Sequence, residues 1–202
     1  MIKREKCWAA AAVLAFLATM FPVSANAQSG AFTFNMVVSA GAKSCLPNAT
    51  ATVTITPGGQ IDLMDVTVSG LTPNTDFDFF VIQVPKAPFG VAWYQGDIET
   101  DGTGRGHQHF VGRFSIETFS VATGSAAAPV VFNGPFPDAS LNPPFNPIQM
   151  YHLGLWFNNP GAAQEHGCPA TVTPFNGEHN AGIQVLNTSN FPDAAGPLRS
   201  VK

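Results

Sequence analysis

Thr50-Ala51-Thr52-Val53-Thr54-Ile55-Thr56 decides the fold class. Its apolar residues, Ala51, Val53 and Ile55, fall on every second position between threonines. A period of two puts all three on one face of an extended strand and the threonines on the other. Upstream, Phe32, Phe34, Met36 and Val38 repeat the pattern. Downstream, Pro57-Gly58-Gly59 supplies a turn, after which Ile61 and Leu63 share one parity while Val66 and Val68 share the other. That change predicts a β-bulge near Met64 and Asp65. Further strands are predicted over 77–84, 91–99, 106–111, 114–121, 130–133, 150–157 and 182–186. Short strands separated by Gly and Pro at this spacing read as a sandwich or barrel. No window carries the periodicity of a long amphipathic helix, and Pro is spread too evenly to allow one. The chain is therefore read as all-β, an antiparallel β-sandwich.

The N-terminus has the form of a leader. Lys3, Arg4 and Lys6 precede an apolar run from Trp8 to Val23, and Ala25-Asn26-Ala27 is a small-x-small cleavage site, so residues 1–27 are read as a signal peptide. The run falls short of the roughly 20 apolar residues that a membrane span needs, and no later stretch qualifies as one. Cleavage leaves 28–202 as a single domain, secreted to the periplasm or beyond. The leader takes three of the nine Lys and Arg and one of the thirteen acids, leaving six bases against twelve acids. With no basic stripe to neutralise phosphates, nucleic acid is not an expected partner. Cys7 leaves with the leader, and Cys45 and Cys168 remain as an even pair in an oxidising compartment. One disulfide between them is the expected outcome.

Two segments carry local signatures. Gly70-Leu71-Thr72-Pro73-Asn74-Thr75-Asp76-Phe77, followed by Phe79 and Val81, resembles the GLxPxTxY segment that leads into a strand in fibronectin type III and related immunoglobulin-like sandwiches. The resemblance implies that architecture and no activity. Phe77 stands where that family usually has tyrosine, so the corner hydroxyl is absent. Gly96 to Gly106, with Asp101-Gly102 at its centre, reads as a hairpin between two strands. Asp97, Glu99 and Asp101 also imitate the start of a calcium loop, but the twelfth position falls on Gln108 where the template needs glutamate. The run from Asp65 to Phe119 also looks like uncharacterised exported bacterial proteins.

Candidate chemistry is sparse. His107 and His109, two apart on a strand, share a face and could share a metal ion, with His152, His166 or His179 as a third ligand. The competing reading is a solvated face beside the hairpin, with Phe110 in the core. Copper and zinc superoxide dismutases share the general architecture, yet the stretch after Gly70-Leu71 holds phenylalanines where that family has its histidine signature, which removes the copper ligands. Asp76 with Asp78, and Asp97 with Glu99, are spaced as carboxylates on the wet side of a strand, and no GxSxG elbow occurs. Phe136 and Phe145, in the proline-rich connection 133–147, could form a ligand platform with Trp156 near its base, or could fold back over an open sheet edge. The leading expectation is a non-catalytic exported binding or cell-envelope module for an unknown ligand or envelope partner, with no cofactor. The alternatives are a metal-binding protein using His107 and His109, or a secreted hydrolase.

Overall fold

The computed structural model describes residues 30–120 and 148–202. The predicted leader, the 130–133 strand, Phe136 and Phe145 lie outside the described residues. The chain is mostly β. Strands β1 (Phe32–Val38), β2 (Thr50–Thr56), β3 (Asp62–Ser69), β4 (Asp76–Ile82), β5 (Ala92–Glu99), β6 (Gly106–Gly112), β9 (His152–Phe157) and β10 (Gln184–Asn187) form one antiparallel sheet in the order β5-β4-β9-β10-β1-β2-β3-β6. The sheet curls until β5 and β6 lie against each other without pairing, so it is nearly closed. Strands β7 (Phe119–Ser120) and β8 (Ile148–Gln149) make a separate two-stranded ribbon. A six-residue helix, α1 (Pro160–Glu165), is capped by Asn159, whose Oδ1 accepts from the Ala162 amide at 2.8 Å.

The interior follows from the period-two pattern. Ala51, Val53 and Ile55 of β2 meet Phe34 and Met36 of β1 and Met64, Val66 and Val68 of β3 in one core, which Phe77, Phe79, Leu153, Leu155 and Phe157 complete from β4 and β9. Cys45 and Cys168 are joined, with their Cα atoms 5.2 Å apart. The bridge ties the β1–β2 connection to the segment after α1. Among the described residues no helix is long and apolar enough to cross a membrane.

Three expectations are corrected. Strand β3 runs in unbroken register with β2 from Leu63 to Ser69, so there is no bulge at Met64 and Asp65. Ile61 and Leu63 point outward, and Asp62 takes the inward position, where its carboxylate accepts from the Phe114 amide at 2.8 Å and the Gly58 amide at 3.2 Å. The bulges fall between Phe79 and Phe80, opposite the β5 strand, and between Gln184 and Leu186. The Asp101-Gly102 turn does not make a hairpin. β5 pairs with β4 and β6 with β3, and the carbonyls of the turn between them, Asp101 and Gly104, are taken by the Asn74 and Leu71 amides of the β3–β4 connection. The strand predicted over 114–121 contracts to β7, since Phe114 is drawn into the core and its amide is taken by Asp62.

Candidate functional site

The outer face of β5-β4-β9-β10 is where polar chemistry is buried. Register places Asp97, Asp78, Trp156 and Gln184 in one row across the four strands, and Tyr94, Phe80, Gly154 and Asn187 in the next. Two connections close over these rows. Phe89, from the β4–β5 connection, and Phe175, from the β9–β10 connection, pack on Phe80 and Trp156 with ring centroids 5.1–5.6 Å apart. Trp156 is fully buried, and its Nε1 has no hydrogen-bond partner. Position 154 has to be glycine because the indole lies across it, where any Cβ would meet the ring.

On one side of this aromatic box lies a cleft of about 680 Å³. Its walls are Ser39–Gly41, Lys86–Gly90 and Thr171–Phe175, and its floor carries the buried amides of Gln184 and Asn187. These amides are fixed: Gln184 Nε2 donates to the Pro85 carbonyl at 3.2 Å, Asn187 Nδ2 donates to Gln184 Oε1 at 2.8 Å, and the Ser39 hydroxyl donates to the Gln184 carbonyl. The cleft is therefore a preformed, largely apolar concavity with an oriented polar floor and one lysine at its mouth, the form that small-ligand sites usually take.

On the other side of the box is an acidic pocket of about 190 Å³ lined by Asp76, Asp78, Tyr94, Asp97, Asn158 and Asn176, with Glu178 at its rim. Asp78 is only 2% exposed, so its expected place on the wet side of the strand is corrected. The signal was the doubled Phe79-Phe80: a run without alternation marks a strand covered on both faces. Burial pushes the Asp78 carboxyl up to about 6; the Asn176 amide donating to Oδ2 at 3.1 Å opposes this, and Asp97, Asp76 and Glu178 reinforce it. Asp76 is also raised, by burial and by the charges of Asp97 and Glu99. Asn158 Nδ2 donates to its Oδ2 at 3.3 Å, while its Oδ1 is buried without a partner. The Tyr94 hydroxyl donates to Asp97 Oδ1 at 2.5 Å; burial, that bond and the Asp97 charge hold its proton more firmly than in a free tyrosine. Sequence reasoning missed Tyr94, Asn158 and Asn176, since each reaches the pocket by tertiary placement alone.

The histidines do not converge as a set. His107 and His109 stand on the exposed face of β6 and both turn to Asp65 Oδ1 on β3, at 3.4 and 2.9 Å. His109 Nδ1 is hydrogen-bonded to that oxygen and His107 Nε2 lies near it, both placed by the β3–β6 register, which pairs Asp65 with His109 and Thr67 with His107. His152 is buried elsewhere, with Nδ1 on the Thr188 hydroxyl at 2.9 Å and Nε2 on the Asp193 carbonyl at 3.1 Å. Burial lowers its pKa. Among the described residues, no group of three or more His, Cys, Asp and Glu is placed to hold a metal ion. The calcium-like turn is likewise self-contained, since Asp101 Oδ1 accepts from the Thr103 amide, the Thr103 hydroxyl and the Arg105 amide at 2.8, 2.7 and 3.1 Å.

With this geometry in view, comparison with known proteins adds no identity. The chain matches no family model, no curated protein and no solved structure.

Proposed function

We propose that this protein is an exported, non-catalytic binding module that takes a small, largely apolar ligand in the 680 Å³ cleft. The observation that carries the reading is the preformed floor: Gln184, Asn187 and Ser39 are locked by their own hydrogen bonds, so little ordering cost remains when a ligand enters. The leader at 1–27 supports export, with the mature chain beginning at Gln28, and the Gly70–Phe77 segment supports the finer reading as an immunoglobulin- or fibronectin-like sandwich. The same leader supports secretion to the periplasm or beyond.

Titration with the dye anilinonaphthalene sulfonate tests the cleft. Saturable one-site binding is expected, with amide NMR shifts confined to 86–90 and 171–175, and Val172→Trp at the mouth should weaken it at least tenfold. No saturable binding, or shifts mapped elsewhere, removes the cleft as the site. The hydrolase reading is favoured by one observation, the Asp78 carboxyl facing Asp97 with its proton retained near pH 6. Polysaccharide or ester hydrolysis by the purified protein, abolished by Asp78→Asn, would replace the binding reading with that one.

A further inference from the structure

The eight-stranded ladder stops at β5 on one side and β6 on the other, and among the described residues neither outer edge is paired. Midway along its length from the connection between them, the seam is plugged. The Phe110 ring stacks on Phe79 with centroids 5.4 Å apart and planes 6° apart, and it leaves only 3.0 Å to a Cβ built at Gly96. At the opposite end the plug is missing. A groove of about 410 Å³ opens there, with Trp93 and Gln95 of β5 on one wall and Val111 and Gly112 of β6 on the other. Its floor is the core itself: Val81, Phe114 and Met150, each almost wholly buried, line it from below. Three of the most exposed large apolar side chains of the described residues sit on this groove, Trp93 at 60%, Val111 at 55% and Phe119 at 54%.

An occupant has two demands to meet at once. The strand edges present main-chain donors and acceptors at strand spacing, whereas the floor and rim present apolar surface. A lipid chain would satisfy the second and leave the first unmet, and a sugar would leave the apolar floor uncovered. An extended polypeptide satisfies both, through its own backbone and through apolar side chains on alternate residues. We infer that the β5–β6 seam is a docking site for an extended, apolar-alternating peptide of a partner protein, which adds as a strand to one or both open edges and seats side chains against Trp93, Val111 and Phe119. The seam is a separate surface from the cleft, and its role does not depend on what the cleft binds.

The test uses the disulfide-bonded protein panned against a phage-displayed library of random linear peptides, followed by synthesis of the enriched sequences. Peptides with alternating apolar residues should be enriched, and on binding the amides of 92–95 and 109–112 should gain at least tenfold protection from hydrogen exchange. Trp93→Ala, an exposed position that folding does not need, should weaken binding at least fivefold. N-methylation of alternate peptide bonds on the strand-pairing side should abolish it, an effect that docking through side chains alone would not show. Lack of enrichment, protection located elsewhere, or indifference to N-methylation overturns the inference. Binding seen only after deletion of residues 122–146 also overturns it, because the seam would then belong to the chain's own connecting segment.

Discussion

The two halves of the sheet are built on opposite economies. In β1, β2, β3 and β6 one face makes core and the other meets solvent, where Thr33, Thr54, Asp65 and His109 form one row across the strands and Asn35, Thr52, Thr67 and His107 the next. These rows hold themselves together by light contacts, such as Thr33 to Thr54 at 3.0 Å and Thr52 to Asn35 at 3.0 Å. In β4, β9 and β10 nearly every residue is buried, on both faces. The same antiparallel ladder thus produces a replaceable polar surface in one half and a doubly packed slab in the other. What differs is whether connections close over the outside, and only the second half has Phe89 and Phe175 to do so.

The sharpest way to break that contrast is to empty the slab. Trp156→Ala should cost about 3–5 kcal/mol in urea unfolding, whereas Thr52→Ala on the open half should stay within about 0.5 kcal/mol. Equal costs would show that the two halves are packed alike. Next in size is the covalent tie between the halves. Replacing both Cys45 and Cys168 with alanine frees a loop with a sequence separation of 123 and should cost about 2–5 kcal/mol, read from the denaturation midpoint with and without reductant.

The third test is pH. Asp78 has its folded pKa raised to about 6 from 3.8, so the native state holds this proton more tightly than the unfolded chain does. Its stabilising contribution is complete below about pH 4, is lost as pH rises to about 6, and is flat above that, with a size of about 1–3 kcal/mol. Asp76 acts in the same sense. His152 acts in the opposite sense, because burial lowers its pKa and acidification below its ordinary value protonates the unfolded chain preferentially. The Asp78 contribution is therefore measured as the difference between wild type and Asp78→Asn, which should shrink as pH falls from 7 to 4. A difference independent of pH would remove the buried-carboxylate account. The smallest effect belongs to the open half. His107→Ala with His109→Ala should change stability by no more than about 1 kcal/mol, since exposed ion pairs contribute little, and dialysed wild-type protein should retain well under one equivalent of zinc. Retention of a full equivalent that the double variant loses would make the polar rows a metal surface.

The open half was legible in the sequence because its strands solve a local problem. Phe32 to Val38 and Thr50 to Thr56 each need one dry face and one wet face, and alternation records that need residue by residue. The cysteine pair was legible by count. The slab was legible only as strands, since continuous burial erases the alternation that would reveal which face a residue occupies. Asp78 and Trp156 therefore gave no sign that they lie in one row. Asp101 shows the limit from the other side: its carboxylate organises the turn as the local sequence suggests, yet pairing is decided by distant strands and sends β5 and β6 to opposite ends of the ladder. Asn176 and Phe175 complete the site from a connection that carries no periodicity.

The join between the halves is narrow. Strand β1 meets β10 through only two paired positions, Val37 with Asn187 and Val38 with Leu186, supplemented by the Ser39 amide on the Val185 carbonyl at 2.8 Å. The disulfide spans the same join from the connections on either side. Mechanically, this makes β1–β10 the crease of a folded sheet. A pull that separates the halves loads a handful of backbone hydrogen bonds, the shared core and one covalent link in parallel, and the link is the strongest of the three. Because the crease unites β1 with β10, it closes only after every residue from Phe32 to Asn187 has been made.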